Sequence, residues 1–523
     1  MLLGLAISTP MLLIAARAWF AGWAPPLGDV SLIALRIRDV GTASTPWLGS
    51  YGRYGFNHPG PLWFDLLALP YRLTGQLEPA VAIVGVASVL TITTIAARHG
   101  RLLWTAALLA IYVHGIGPLR LVDAWEPHGL LLPAAALVLL TFDALAGTDR
   151  ALPVLAGIAS LLAAAQATLL PFAIACGALA LGATVVRRSP GRRRALIVTA
   201  IVVAVLWAPT VLQQVRGARP NLSAMLAARG GPPAALGVAD AWRLVANEWS
   251  LRAPWFGFDL PLEPFRPVVD LGALQIVPVA GILLLAAALR WRHRATWPAL
   301  AAGAAGILAM SQLLGPVFPW IPQWLRVVGF SAWLGAGWVV AVRIPRAVLI
   351  GAVAVFTGLT GFAAATVDRP PDRIGTAIRA LVAERRTVTG PVLVRSSVDA
   401  DLVFGGGGIG VEVLALELDR RGIDVVVDRR SADRFGDARA EPGRAEVSFE
   451  LIEVDRGGID PLEPELRRRR DALLRRIGLG PEPTAAELIA RYRAVASLRP
   501  AIDELGGIPN LPRIDLRVRD LMR

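Results

Sequence analysis

Lysine is missing from the 523-residue chain, so the 53 residues of the lysine-plus-arginine total are all arginine, against 40 acids, for a formal charge of +13. Such a balance would suit a nucleic acid partner only if the charge formed one face. Here the arginines stand in short clusters beside apolar runs, so no nucleic acid is expected. Cysteine is nearly absent: Cys176 stands alone in an apolar run, which excludes an internal disulfide. Charge of either sign is scarce, at 18% against 55% hydrophobic residues, and mean hydropathy is +0.54. A water-soluble globular chain is excluded on those values, and a membrane protein is expected.

The apolar residues fall into eleven runs near the ~20-residue length that spans a bilayer. They are 2–23, 79–97, 102–117, 129–146, 151–168, 170–186, 195–212, 273–289, 297–314, 322–342 and 347–367. The first run has no charged start and ends in Arg17, Trp19, Phe20 and Trp23, so it is a span and not a cleaved signal. Positive charge marks cytoplasmic loops. With the N-terminus inside and eleven spans, five charged short segments fall inside: 98–101, 149–150, 187–194, 290–294 and 343–346. Loops 24–78, 118–128, 213–272 and 315–321, and everything after about 368, are then extracytoplasmic. Arg17 and Asp143 lie near span ends, within reach of water by snorkelling. Neither midplane charges nor matching halves are present, which argues against a secondary transporter.

The long outer loops hold the polar chemistry. In APPLGDVSLIALRIRDVG, a helix starting at Asp29 would place Leu32, Ile33, Leu35 and Ile37 on the membrane surface, with Arg36 near the Asp29 face. Asp29 either caps that helix or edges a cavity, and Asp39 either pairs with Arg36 or supplies a second acid. Next, YGRYGFNHPGPLWF (51–64) is broken by glycine and proline. Irregular backbone at membrane depth is tolerated where it lines a cavity. Arg53, Asn57 and His58 are the side chains it offers, His58 as proton carrier, phosphate donor or turn residue. From Pro61 a short helix carrying Trp63, Phe64, Leu67 and Tyr71 suits the interface. Arg120, Asp123, Trp125, Glu126 and His128 gather at 118–128, and Trp320, Gln323, Trp324 and Arg326 mark the turn before the tenth span. Asp123 with His128 offers too few ligands to argue for an ion. Loop 213–272, with Asn221, Trp242, Asn247, Trp249, Trp255 and Phe258, either covers the donor, grips the acceptor or is structural.

Three stretches, GDVSLIALRIRDVG, LVDAWEPHGLLLP (121–133) and WAPTVLQQVRGARPNLSAML (207–226), resemble actinobacterial multi-pass proteins related to the GT-C superfamily of membrane glycosyltransferases, over roughly residues 1–368. The resemblance implies transfer of a sugar from a polyprenyl-phosphate donor to a cell-envelope glycan, lipid or protein acceptor on the outer face of the plasma membrane. It implies an acidic catalytic residue in the first outer loop, where Asp29 matches by position and Asp39 is the nearest second acid. Many members carry two adjacent acids there. Val30 follows Asp29 here, a departure that weighs against a metal-dependent mechanism, with a divalent metal kept only as an alternative. On this basis Arg53, Asn57, His58 and Arg326 are expected to meet the donor phosphate, and Asp123, Trp125, His128 and Trp324 the acceptor sugar. The rivals are an export or scaffold protein for envelope glycans and a polyprenyl-linked polymer ligase.

After Asp368 charges become frequent, and residues 369–523 are expected to form an extracytoplasmic α/β domain. Residues 391–396, 423–428 and 446–454 predict strands and 411–422 a helix. GGGGIG (405–410), followed by Asp428, matches a dinucleotide pattern, but a poly-glycine run produces it cheaply and a close-packing loop is the simpler account. The RRRR run at 467–470 predicts a solvated helix face.

Overall fold

A computed structural model describes residues 1–24, 28–52, 55–187, 189–217, 219–228, 236–257, 277–291, 294, 296–313, 318–340, 344–369, 372–385, 388, 390–397, 410–454, 459, 464–480, 491, 495–498 and 513–521. Arg53, residues 405–409 of the GGGGIG run and Phe258 lie outside the described residues. The chain is a polytopic α-helical membrane protein with a C-terminal α/β domain. It divides into two compact units, the first of residues 1–24 and 45–369, the second of residues 25–44 and 370–523.

In the first unit the chain runs through α1 (Leu2–Ala21), then, past a segment belonging to the second unit, α3 (Leu62–Thr74), α4 (Leu77–Arg98) and α5 (Leu102–Ile116). It continues through α6 (Glu126–Gly129), α7 (Leu131–Ala146), α8 (Ala151–Ala165), α9 (Leu170–Val186), α10 (Arg192–Arg216), α11 (Asn221–Ala228) and α12 (Val238–Glu248). The unit ends with α13 (Val279–Trp291), α14 (Thr296–Ser311), α15 (Leu325–Val340) and α16 (Arg346–Thr366). A helix thus lies at each of the eleven expected runs. Among the described residues six helical segments are long and apolar enough to cross a membrane: Leu2–Ala21, Leu77–Arg98, Glu126–Ala146, Ala167–Val186, Arg192–Arg216 and Arg346–Thr366. Leu102–Ile116, Ala151–Ala165 and Thr296–Ser311 are shorter apolar helices.

α7 is the central helix, packed against α4, α8 and α9 and buried along nearly its whole length. Charged groups tie the two ends of this bundle separately. At one end buried Asp143 accepts from Thr148 at 2.8 Å, lies 2.9 Å from His99 Nε2 and pairs with Arg98 at 3.5 Å. Asp143 therefore does not snorkel; neighbouring donors hold its carboxylate inside. Arg187 donates to the Ala144 carbonyl, Arg294 to that of Leu145, and Ser189 to Asp149, so four of the five basic segments meet around the end of α7. At the far end Arg17 pairs with Asp368 at 2.6 Å, and Arg369 reaches Glu78 at 2.5 Å while lying 5.0 Å over the Trp23 ring.

The 213–272 segment is threaded into the bundle where it is described. Trp255 is fully buried, and Trp249 packs on Gly281 of α13 and Gly303 of α14. Trp242 remains 41% exposed, which leaves the structural alternative as the one the packing favours for Trp249 and Trp255.

The second unit begins with α2 (Asp29–Asp39) and resumes with α17 (Arg373–Glu384), β1 (Val392–Ser396), α18 (Val411–Arg420), β2 (Val425–Val427), α19 (Ala432–Phe435), β3 (Val447–Glu453), α20 (Pro464–Ile477) and β4 (Ile514–Asp520). The sheet order is β2-β1-β3-β4. β1 pairs in parallel with both β2 and β3, with Val392 opposite Val425 and Val447, whereas β4 runs antiparallel to β3. The three expected strands and the helix between the first two are present, and the edge strand β4 is an addition. Asp428 is engaged by a two-point ion pair from Arg395, at 3.0 and 2.9 Å. In the RRRR run Arg468 is exposed and pairs with Glu465, but Arg470 turns inward and is buried.

Candidate functional site

Around YGRYGFNHPG the described residues on either side of Arg53 and Tyr54 pair with each other. Gly49 donates to the His58 carbonyl at 3.0 Å, His58 to Ser50 at 2.8 Å and Gly52 to Phe56 at 2.8 Å, with Tyr51 opposite Asn57. Gly55 stands at φ 74°, a left-handed conformation that glycine adopts without a Cβ penalty.

Side chains from distant segments lock this pairing. The Asn221 carboxamide meets both backbone groups of Asn57, accepting from its N–H at 2.8 Å and donating to its carbonyl at 2.9 Å. Asn221 is itself held by Gln213, which accepts from the Asn221 N–H at 3.1 Å. The Asn57 side chain donates to the Gly49 carbonyl at 3.1 Å, so its carboxamide braces the pairing. On the opposite flank Ser50 donates to Glu126, a carboxylate only 3% exposed.

His58 Nδ1 accepts from the Ala167 N–H at 3.3 Å. That bond assigns the ring proton to Nε2, leaving one N–H to offer. Burial lowers the imidazole to about 4. The ring is therefore neutral near pH 7, and of the three expected roles the proton carrier fits least.

Segment 118–129 forms the next wall. Trp63 of α3 donates from its indole to the Ala124 carbonyl at 2.7 Å. Asp123 Oδ1 accepts from the Trp125 N–H at 3.1 Å and its Oδ2 lies 2.7 Å from His128 Nδ1. With Nδ1–H donating to the carboxylate, a neutral His128 ring presents the lone pair of Nε2, and that atom is buried with no hydrogen-bond partner among the described residues. The His128 ring stands edge-on to Trp125 at 5.2 Å, and Trp125 lies 6.0 Å from Trp320, itself stacked on Phe318 at 4.7 Å. The structure thus joins Asn57, His58, Asp123, Trp125 and His128 through Ser50, Glu126 and Trp63. On α3 the opposite face leaves Leu66, Leu69 and Leu73 exposed, as an interfacial helix requires.

Other expected residues lie elsewhere. Arg326 is 3% exposed inside the bundle and donates to the Gly115 carbonyl at 2.6 Å. Trp324 is 1% exposed and packs 5.9 Å from Phe172. Asp29 and Asp39 belong to the second unit, Asp29 exposed in the first turn of α2 and Asp39 only 2% exposed among arginines. Among the described residues no group of three or more His, Cys, Asp or Glu is placed to hold a metal ion, and Asp123 and His128 bind each other. Ser50 and Gln213 carry no local signal of a site, and Asn221, expected in the 213–272 loop, carries none of its partner: 76 residues separate Ser50 from Glu126 and 164 separate Asn57 from Asn221.

No protein-family model and no curated protein matches the chain. Among solved structures, the crystal structure of ArnT from Cupriavidus metallidurans bound to undecaprenyl phosphate is similar, with a TM-score of 0.50 over 85% of this chain and 92% of that one. Sequence identity is 15%, so the likeness is one of fold.

Proposed function

We propose that the protein is a plasma-membrane glycosyltransferase of GT-C type, moving a sugar from a polyprenyl-phosphate donor to an envelope glycan, lipid or protein acceptor outside the cytoplasm. The observation that carries this is the fold shared with a protein whose structure holds undecaprenyl phosphate. The end of the bundle where the basic segments gather is the cytoplasmic one in this proposal, following the bias of arginine to inner loops.

The reaction forms a bond between an acceptor oxygen and the anomeric carbon of the sugar. The bond from that carbon to phosphate breaks, and polyprenyl phosphate leaves with its electron pair. A carboxylate takes the acceptor proton, since a neutral hydroxyl is a poor nucleophile. Asp29, exposed in a first helical turn, is the proposed base on the strength of its position in the chain. Donors that meet the leaving phosphate stabilise its growing charge. The neutral His58, with its proton on Nε2, is suited to that task; Arg53 is proposed with it from sequence alone.

Trp125 supplies a flat apolar face to a sugar, and the His128 lone pair, oriented by Asp123, accepts from a hydroxyl. Asn57, Arg326 and Trp324 are proposed to hold the scaffold, because their polar atoms or rings are engaged inside it.

The test is transfer of labelled sugar from decaprenyl-phosphate donors, arabinose and mannose in parallel, by membranes containing the wild type or Asp29→Asn. Consumption of one donor, abolished by the substitution while the protein accumulates normally, supports the proposal. No transfer by either protein favours the scaffold or export alternative, and movement of a whole polymer favours the ligase.

A further inference from the structure

Residues 25–44 belong to the same compact unit as the C-terminal domain, although more than 300 residues separate them in the chain. α2 packs on α18 and α19, with Leu32, Ile33, Leu35 and Ile37 no more than 5% exposed. The expected membrane-surface face is therefore covered by protein. An isolated helix of 11 residues is marginal in water, so its position depends on what grips it.

The grip is a buried set of arginines and acids. Arg439, 5% exposed, donates from Nη2 to Asp39 at 2.6 Å and to Asp419 at 2.7 Å, and from Nη1 to the Val425 carbonyl at 3.0 Å. Its Nε completes the fork on Asp39 at 3.2 and 3.3 Å. Arg36 donates to Asp39 at 3.0 Å and to the Phe435 carbonyl at 2.5 Å, and Arg38 donates to Asp419 at 2.5 Å. One guanidinium thus joins the last residue of α2, the end of α18 and strand β2. A fork that addresses two carboxylates and a carbonyl at once has directional demands that a lysine ammonium does not reproduce.

We infer that Arg439 is a positioning residue that fixes α2, and with it the proposed base Asp29, on the C-terminal domain. The inference rests on the proposed transferase function. Asp39 and Asp419 serve the grip and take no part in proton transfer. Asp29 lies at the other end of the same rigid helix, so a loosened Asp39 end misplaces the carboxylate that must meet the acceptor hydroxyl; misplacement of about 1 Å can cost roughly 100-fold in rate.

The test uses the full-length protein in lipid nanodiscs, as wild type, Arg439→Gln, Arg439→Lys, Asp29→Asn and the Arg439→Gln, Asp29→Asn double variant. Amide exchange at 29–39 and 411–420 is read alongside kcat per folded molecule and donor KM. The expected result is faster exchange confined to 29–39 in Arg439→Gln, kcat about 100-fold lower with donor KM unchanged, and Arg439→Lys between the two. On the residual activity of Asp29→Asn, adding Arg439→Gln costs nothing more, which a general loss of folding would not give. Unchanged exchange at 29–39, or full kcat despite faster exchange, overturns the inference. A wild type that transfers nothing from any donor overturns the proposed function and the positioning role with it, while the exchange data still decide whether Arg439 holds α2.

Discussion

His128 Nδ1 lies 2.7 Å from Asp123 Oδ2, and the opposite ring nitrogen is buried with no hydrogen-bond partner among the described residues. An unmet buried polar atom costs about 1–3 kcal/mol, which a ligand hydroxyl would recover on binding. If the acceptor supplies it, His128→Ala raises acceptor KM by about 10- to 100-fold and leaves donor KM alone. Asp123→Asn, which still accepts from Nδ1–H but without charge, falls between. Equal KM values for acceptor in all three proteins would remove His128 from the site.

The His58 imidazole, lowered by burial to about 4, links stability to pH. Between the free value of about 6.5 and about 4 the unfolded chain holds the extra proton, so stability is fully present above the upper value and declines as pH falls through the window. His58→Asn removes that slope. Thermal unfolding of the detergent-solubilised protein across this range should show a falling midpoint for the wild type and a flatter one for the variant.

Asn221→Ala leaves both the N–H and the carbonyl of Asn57 without their side-chain partner. The expected loss is about 2–4 kcal/mol, from two unmet groups at roughly 1–2 each. Asn221→Asp keeps the acceptor and loses the donor, so it should fall between. A lowered unfolding midpoint in that order checks the lock; equal midpoints would mean that water replaces it freely.

Gly436 adopts φ 89°, and an added Cβ would lie 2.7 Å from Arg36 Nη1. Gly436→Ala therefore meets both backbone strain and the buried guanidinium, at a cost of about 1–3 kcal/mol. Protease sensitivity of the second unit should rise in this variant. The control Gly443→Ala, where a Cβ meets nothing within 4 Å among the described residues, should behave as wild type.

The membrane class, the eleven helical segments and the first three strands and intervening helix of the tail are legible in the sequence, because these depend on local periodicity and run length. The sequence missed β4, whose IDLRVRD alternation is dense in charge and reads as easily as a solvated segment. Only tertiary structure decided what covers α2. A helix with one apolar face looks the same whether lipid or protein meets it, and here α18 does. Spacing did pair Asp39 with Arg36 as one alternative. The stronger partner is Arg439, 400 residues away, and no local pattern encodes so distant a neighbour. Ser50 with Glu126 and Asn57 with Asn221 follow the same rule: each bond depends on where the folded chain returns, which hydrophobic periodicity does not specify.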